Sequence, residues 1–232
     1  MITNCDYLPS NLTELPASGV TMQIISWPCA FFLLLGCVAA FILNDGPTSS
    51  SSHLSEHSES PLRIGSMNVQ VFGRTKIHLP VVRHWLPKIL ARYDVVLIQE
   101  IRDITGTAFD DLWHLVNEEL RTQHVNDIYD KVVSGRLGRT TSKEQYGFLF
   151  RKSKLQVSDT YQYPDPGDIF EREPFTVRFR APHAAVGDFA ISAIHTSPNH
   201  AKDEIGNLTK VYDAIRQHWH IEVRVTAVSK FN

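Results

Sequence analysis

The chain has 232 residues, of which 43% are hydrophobic and 21% are charged, and its formal net charge is -2 at pH 7. This composition excludes an intrinsically disordered chain, and the length suffices for one sizeable hydrophobic core. Basic residues begin only at Arg63, so the part of the chain from there onward carries a small positive excess. Such an excess permits a polyanionic partner without implying one.

An apolar segment, residues 22–43, is the first recognisable element of the chain. It is long enough to span a bilayer, and small residues at Cys37, Ala39 and Ala40 are compatible with cleavage by signal peptidase. We therefore expect residues 1–43 to contain a secretory signal. A retained signal-anchor is the alternative, in which case the protein is bound to a membrane rather than secreted.

A serine-rich stretch, residues 44–61, follows the apolar segment and indicates a flexible linker. The folded domain is then predicted over residues 62–222. Within it, Asn207-Leu-Thr is an acceptor sequence for N-glycosylation, which is compatible with secretion.

Strands and helices are predicted to alternate at the start of this domain. Residues 62–69 indicate a first strand, and Pro80 is typical of a helix start, although Pro87 interrupts the same apolar pattern. The uninterrupted apolar run 95–98 predicts a strand buried on both faces. An amphipathic pattern over residues 108–120 predicts a second helix.

The hydrophobic period then changes from helical to two. Alternating apolar residues over 146–150, 175–179 and 189–193 predict three half-buried strands. Residues 205–219 carry an apolar stripe at intervals of three and four and predict a last helix. This order of elements indicates an α/β or α+β fold with a mixed sheet.

Polar side chains end three of these apolar strands: Asn68, Glu100 and His195. If the strands share one core, the three side chains converge on one rim, where a carboxylate and an amide oxygen suit Mg²⁺ and a histidine serves as acid or base. The pattern is therefore compatible with a metal-assisted hydrolase. Each residue taken alone is equally compatible with a turn former, a solvated carboxylate or a structural histidine.

Five segments of the domain, in order and spacing, resemble the secreted DNase I family. They are residues 62–73, 93–103, 137–146, 172–175 and 193–198. The amino-acid sequence of the third and fourth segments is most similar to the DNase gamma branch. The resemblance extends from about Leu62 to Glu222 and implies the DNase I-like sandwich of mixed β-sheets flanked by helices, within the endonuclease/exonuclease/phosphatase superfold.

The resemblance implies a metal-dependent endonuclease that hydrolyses DNA phosphodiester bonds with Mg²⁺ and Ca²⁺ as cofactors. Asn68 and Glu100 match the family's divalent-metal site beside the scissile phosphate. His195 matches a catalytic histidine, and Glu144 matches the carboxylate that orients it. A carboxylate in that place fixes the tautomer of the imidazole and raises its basicity.

DNA is the partner that the resemblance implies, through three arginines that match phosphate or minor-groove contacts: Arg102, Arg139 and Arg172. Ser142 stands where the family has a tyrosine that packs in the minor groove, which should weaken DNA contact. Lys131 replaces an aromatic residue of the family's actin-binding surface, which argues against actin as a partner.

A structural calcium site is implied at four further residues, in a loop that is shorter here than in DNase I. They are Asp165, Asp168, Phe170 and Glu173. Acidic side chains with a backbone carbonyl are suitable calcium ligands.

The resemblance ends at Glu222, and residues 223–232 match nothing in the family. The family's remaining strands and its second catalytic histidine would follow that point, so we expect a truncated gene model or splice form with impaired activity and open sheet edges. The alternative function is an inactive fragment that at most binds DNA or a protein partner. Other phosphohydrolases of the superfold, such as sphingomyelinases or inositol phosphatases, are a further alternative.

Overall fold

The computed structural model describes residues 61–184 and 187–220 with their side chains, and three further strands by their backbone pairing. These three strands are β1 (Val20–Met22), β2 (Cys37–Leu43) and the last strand of the chain, Val223–Val228. Most of the apolar segment 22–43 and nearly all of the linker 44–61 lie outside the described residues. Among the described residues, no helix combines the length and the apolar character needed to cross a membrane.

The first of the remaining elements alternate between strands and helices, as expected, and five strands then follow one another where three were predicted. In chain order these elements are β3 (Leu62–Phe72), α1 (Arg74–Ile77), α2 (Pro80–Leu90), β4 (Val95–Ile101), α3 (Thr107–Thr122), β5 (Tyr129–Val133), β6 (Gln145–Arg151), β7 (Gln156–Gln162), β8 (Phe175–Ala181), β9 (Gly187–Ile194), α4 (Ala201–Gly206), α5 (Leu208–Trp219) and β10 (Val223–Val228). The strands form two five-stranded sheets, with the orders β1-β3-β4-β6-β5 and β10-β2-β9-β8-β7. The predicted mixed α/β class is confirmed.

Strand β4 lies at the centre of the first sheet, parallel to β3 and antiparallel to β6. Its alternate side chains enter two different cores. Val95 and Leu97 pack with Phe179 and Ile191 of the second sheet, whereas Val96 and Ile98 pack with residues of α2 and α3. The sheet is therefore covered on both faces, which explains the uninterrupted apolar run that predicts this strand.

Strands β6 and β9 differ from the half-buried strands that were predicted. All but the first residue of β6, and all but the first two of β9, are buried. The expectation was wrong because one face of each sheet packs against the other sheet while the opposite face is covered by helices. The outer edge of β9 pairs with β2, from Cys37 opposite Ile194 to Ile42 opposite Phe189.

Two helices depart from their predicted form. Pro80 begins α2 as expected, but Pro87 lies inside this helix without ending it. The predicted last helix is divided at Asn207 into α4 and α5.

Helix α3 packs very closely on β6, since a Cβ atom on Gly147 would come within 2.5 Å of the ring of Phe109. Only glycine fits there.

Candidate active site

Glu100 lies at a double irregularity of the first sheet. Pairing of β3 with β4 passes from Asn68 opposite Gln99 directly to Phe72 opposite Ile101, so that β3 bulges outward, and the pairing of β4 with β6 also shifts around Glu100. The backbone of Glu100 has a φ of 62°, which is the left-handed region. Bulges next to active sites turn a side chain away from its regular direction. Glu100 was expected just beyond the strand, but it belongs to β4 and is fully buried.

Both oxygens of the Glu100 carboxylate are held by donors from β3. The backbone N–H of Val71 donates to Oε2 at 2.7 Å, and the side-chain amide of Asn68 donates to Oε1 at 2.7 Å. The amide oxygen of Asn68 accepts the N–H of Gln70, also at 2.7 Å. In this arrangement Asn68 orients Glu100, and its predicted role as an oxygen ligand of a metal ion stays a prediction.

Glu144 immediately precedes β6 and is surrounded by cations. Arg102 donates to its Oε1 through Nη2 at 2.7 Å and Nε at 3.1 Å. Arg172 donates to the same oxygen at 3.0 Å, and its Nε forms an ion pair with Oε2 at 2.7 Å. Burial by itself would raise the pKa of Glu144, but the hydrogen bond to His195 and the charges of His195, Arg172 and Arg102 together hold that pKa below its usual value.

His195 directly follows β9, so it comes from the second sheet and meets Glu144 from the first. Its Nδ1 lies 2.8 Å from Oε2 of Glu144, and its backbone N–H donates to the hydroxyl of Tyr146 at 2.7 Å. A third contact between the sheets is the hydrogen bond from the side chain of Gln99 to the carbonyl of Ile194 at 2.9 Å. The histidine is therefore fixed at the point where the two sheets meet.

The second ring nitrogen of His195 is buried, and among the described residues it has no hydrogen-bond partner. Its distance to Oε1 of Glu100 is 3.8 Å. Because the carboxylate of Glu144 faces Nδ1, the proton of the neutral ring belongs on Nδ1, which leaves Nε2 as the basic atom. The arrangement can thus accept a proton from, or return one to, a group that enters beside Glu100.

Charges within the site are balanced before any substrate enters. The carboxylates of Glu100 and Glu144 are matched by the guanidiniums of Arg102 and Arg172, and Arg102 Nη2 lies within reach of both acids, 2.7 Å from Glu144 and 3.6 Å from Glu100. An entering phosphate would add negative charge beside Glu100. A divalent cation held by one carboxylate, water and phosphate oxygens fits that need, and such a sparse protein contribution is usual for Mg²⁺.

No group of three or more His, Cys, Asp or Glu side chains that could hold a metal ion occurs among the described residues. At the predicted calcium site, both carboxylate oxygens of Asp165 accept backbone N–H groups, from Ile169 at 3.0 Å and Phe170 at 2.8 Å. Asp168 pairs with Arg139 at 2.9 Å, and one oxygen of Glu173 is buried without a hydrogen bond. The four residues share one loop, and the calcium site stays a prediction.

Arg139 lies apart from the other two predicted DNA-binding arginines in its contacts. It pairs with Asp168 at 2.9 Å and Glu171 at 3.8 Å, whereas Arg102 and Arg172 pair with Glu144. Its link to the site is indirect, through Glu171, which directly precedes Arg172.

Two residues of the site escaped the sequence analysis. Tyr146 was assigned only to the core of a strand, yet its hydroxyl holds the backbone of His195. Glu204 is a buried acid on α4 that accepts the N–H of Ser197 at 2.9 Å and that of Glu171 at 3.4 Å. It joins the loops that carry His195 and Arg172. The sequence did contain a signal for Glu204. This acid lies four residues before Leu208 and seven before Val211, which places it on the apolar face of the predicted last helix.

The other residues singled out in the sequence lie on the surface. Asn207 is half-buried between α4 and α5, and its side-chain amide donates to the carbonyl of Asp203 at 2.8 Å. Ser142 is exposed in the loop before Glu144. Lys131 pairs with Asp110 and lies 5.0 Å from the centre of the Trp113 ring. The structure tests neither glycosylation nor the absence of actin binding.

Comparison with known proteins identifies relatives for the matched part of the chain. Deoxyribonuclease-1 from Sus scrofa is 40% identical over 166 residues, which are 69% of this chain and 57% of the relative. Deoxyribonuclease gamma from Homo sapiens is 38% identical over 173 residues, 73% of this chain and 56% of the relative. The chain thus spans somewhat more than half the length of these curated relatives.

Among solved structures, the endonuclease/exonuclease/phosphatase from Bacteroides vulgatus is similar with a TM-score of 0.46 and 17% identity, covering 67% of this chain and 60% of that one. No protein-family model matches the chain. The identities to the two deoxyribonucleases agree with the resemblance of the sequence segments that carry the site. Over its matched part, this chain is a homologue of the deoxyribonuclease I family.

Proposed function

We propose that the chain is a metal-dependent endodeoxyribonuclease, or the part of one that carries the proton-transfer group. The observation that carries this proposal is the His195–Glu144 pair: Nε2 of the ring is buried 3.8 Å from Glu100 and has no hydrogen bond to any described residue. A buried polar atom without a partner is uncommon in proteins, and a substrate is one reason for it. The relatives that match this part of the chain are named deoxyribonucleases.

His195 moves the proton in this proposal. Its Nε2 takes a proton from the attacking water or returns one to the leaving oxygen of the phosphodiester, and Glu144 stabilises the imidazolium that forms. The 2.8 Å contact between Nδ1 and Glu144 fixes the ring in the required orientation. The hydroxyl of Tyr146 accepts the backbone N–H of His195, which fixes the position of this residue at the site.

Glu100 is the residue that would hold a divalent cation, with Asn68 and the N–H of Val71 orienting its carboxylate. A bound Mg²⁺ ion would polarise the scissile phosphate and offset the charge that develops on it. The bond that breaks is a P–O bond of the DNA backbone, and water supplies the incoming oxygen and the proton that the leaving oxygen receives. The second predicted cofactor, Ca²⁺, is assigned to Asp165, Asp168, Phe170 and Glu173.

DNA is the proposed substrate, and guanidiniums are the groups that would contact its phosphates. Arg102 and Arg172 both border Glu144, with side-chain exposures of 29% and 14%. A planar fork of N–H donors suits a phosphate. Arg139, at 36% exposure, would contact the backbone farther from the scissile bond.

Cutting of supercoiled plasmid by the full chain tests the proposal. We expect the protein to nick the plasmid in Mg²⁺ and to stop when the cation is chelated, and we expect His195→Asn to nick far more slowly. Lys152→Met is the matched control, since Lys152 is exposed at the opposite end of β6 and pairs only weakly with Asp130 at 3.6 Å. A folded wild-type chain that leaves the plasmid intact in Mg²⁺ contradicts the proposal that this chain by itself is a nuclease.

The alternative of an inactive fragment is decided in the same experiment. A chain that shifts the mobility of DNA in a salt-sensitive manner without cutting it is a binder and not a nuclease. This distinction matters because the chain spans only 57% of the length of deoxyribonuclease-1 from Sus scrofa.

Secretion is a separate proposal, and it rests on the apolar segment 22–43. The final residues of that segment, Cys37–Leu43, form β2 and pair with β9. N-terminal sequencing of the protein released from secreting cells shows whether the apolar segment is cleaved or retained. A mature protein that starts directly after one of the small residues Cys37, Ala39 or Ala40 supports a cleaved signal, and one that retains residues 22–36 contradicts it.

A further inference from the structure

The bulge of β3 that holds Glu100 is itself held from outside by a lysine. The ammonium group of Lys76, at the end of the short helix α1, donates to the carbonyl of Val69 at 3.0 Å and also to the carbonyl of Gln70. These two carbonyls belong to the residues directly before Val71. Lys76 is half-buried over them, so its contacts are not those of a freely solvated surface lysine.

The bulge needs support because its backbone is unfavourable for the residues in it. Gln70 and Val71 have φ values of 40° and 52°, in the left-handed region that non-glycine residues rarely adopt. Val71 is β-branched, for which this region is especially unfavourable. A conformation of this kind persists only when the surrounding contacts impose it.

The same bulge determines where the carboxylate of Glu100 points. In this bulge the N–H of Val71 donates to Oε2 of Glu100 at 2.7 Å. We propose that Lys76 is a positioning residue for Glu100: its ammonium holds the carbonyls of Val69 and Gln70, and thereby keeps the Val71 N–H on the carboxylate. The inference rests on the proposed function, since positioning matters for catalysis only if Glu100 serves the reaction.

The electrostatics agree with this geometry. Burial lowers the pKa of Lys76, and the negative charge of Glu100 opposes this decrease. The ammonium and the carboxylate therefore interact electrostatically. A direct contact between Lys76 and a DNA phosphate is the competing interpretation. It would require the ammonium to leave the carbonyls that it now holds.

Lys76→Met in the full chain tests the proposal, with Lys152→Met as the matched control. We expect the amide hydrogen of Val71, followed by NMR, to exchange with solvent about tenfold faster or more in Lys76→Met, because the bulge that keeps this N–H on Glu100 is no longer held in place. In plasmid cutting, kcat should fall about tenfold while KM for DNA stays within about twofold, since a displaced Glu100 affects the reacting centre and not the binding of DNA. The control variant should match the wild type in both measurements.

A double-mutant cycle separates support of the bulge from other roles of the lysine. Glycine tolerates a positive φ, so Val71→Gly should reduce the loss of rate that Lys76→Met causes. Unchanged exchange of the Val71 amide in Lys76→Met overturns the proposal. So does a raised KM for DNA with unchanged kcat, which would indicate a phosphate contact. If the wild-type chain does not cut DNA at all, the proposed function fails, and the amide exchange still decides whether Lys76 holds the bulge.

Discussion

The two ends of β4 carry similar buried charges in opposite arrangements. At the amino end, Asp94 is fully buried, accepts the N–H of Arg63 at 2.8 Å, and forms ion pairs with Lys154 at 3.0 Å and Arg151 at 3.5 Å. Arg151 also donates to the carbonyls of Ala91 and Tyr93. At the carboxyl end, Glu100 and Glu144 are also buried and paired with arginines, but Nε2 of His195 has no hydrogen-bond partner among the residues that the structure describes.

The backbone differs between the two ends as well. Pairing near Asp94 is regular, with Ile64 opposite Val95 and Val95 opposite Phe150, whereas both partners of β4 shift register around Glu100. A buried charge alone is therefore no sign of a functional site in this protein. Within the described part of the chain, Oδ1 of Asp94 likewise has no hydrogen bond, but it forms ion pairs with Lys154 and Arg151. What distinguishes the carboxyl end is a strained backbone beside an imidazole nitrogen that can exchange a proton.

The largest effect is expected from Glu144→Ala. This change removes the partner of His195 Nδ1 and leaves Arg102 and Arg172 without a counter-charge, so we expect plasmid cutting to fall by about 10²–10⁴-fold. Breaking a buried ion pair also costs about 3–5 kcal/mol of the free energy of unfolding. Chemical denaturation and plasmid cutting measure the two losses. Cutting within tenfold of wild type, per folded molecule, would show that Glu144 does not support the reaction.

Asp94→Asn should separate stability from activity at the opposite end. We again expect the free energy of unfolding to fall by about 3–5 kcal/mol, because Arg151 loses a buried counter-charge. Cutting per folded molecule should stay unchanged, since nothing at this end faces the substrate. Asp130→Asn is a suitable control, because Asp130 is 43% exposed and its pair with Lys152 should contribute less than about 1 kcal/mol. A specific loss of cutting in Asp94→Asn would remove the distinction between the two ends.

The pH dependence of unfolding should reveal the charge on Glu144. Its pKa is lower in the folded protein than the usual 4.5, so the charged form stabilises the fold above that pH, and the contribution is lost as the pH falls through the folded-state pKa. Glu144→Gln removes this group, and its thermal midpoint should fall less steeply than that of the wild type below pH 4.5. Thermal unfolding followed by circular dichroism measures both curves. Parallel curves would mean that folding does not lower the pKa of Glu144.

The smallest effect is expected from Arg139→Gln. Because Arg139 is exposed and pairs with Asp168 and Glu171, it should contribute one phosphate contact at most. The slope of log affinity for DNA against log salt should decrease by about 0.9, with little change in kcat. A loss of kcat comparable with that of the Glu144 variant would place Arg139 in the reacting centre.

Several parts of this arrangement could be predicted from the sequence because periodicity reports burial. The apolar run before Gln99, the amphipathic pattern of α3 and the alternation in β8 each correspond to an observed element. The polar ends of three strands also pointed to Asn68, Glu100 and His195. The role of Glu144 came from the family resemblance alone, since this residue lies in a loop without periodicity.

Other features leave no local trace in the sequence. Strand β7 is mostly exposed, and β5 has only five residues, so neither shows a clear alternation. The left-handed bulge contains no glycine at Gln70 or Val71, and the N–H of Val71 is bound by Glu100, which lies 29 residues farther along the chain. Such features are imposed by tertiary contacts rather than by local preference.

Chemical rescue of His195→Ala by imidazole tests the central claim most directly. Removing the ring leaves a cavity beside Glu144, into which free imidazole can enter and offer the same nitrogen. We expect His195→Ala to cut supercoiled plasmid about 10²–10⁴-fold more slowly than the wild type, and added imidazole to restore part of the rate in a saturable manner. Cutting by His195→Ala at the wild-type rate without imidazole would contradict the assignment of proton transfer to His195.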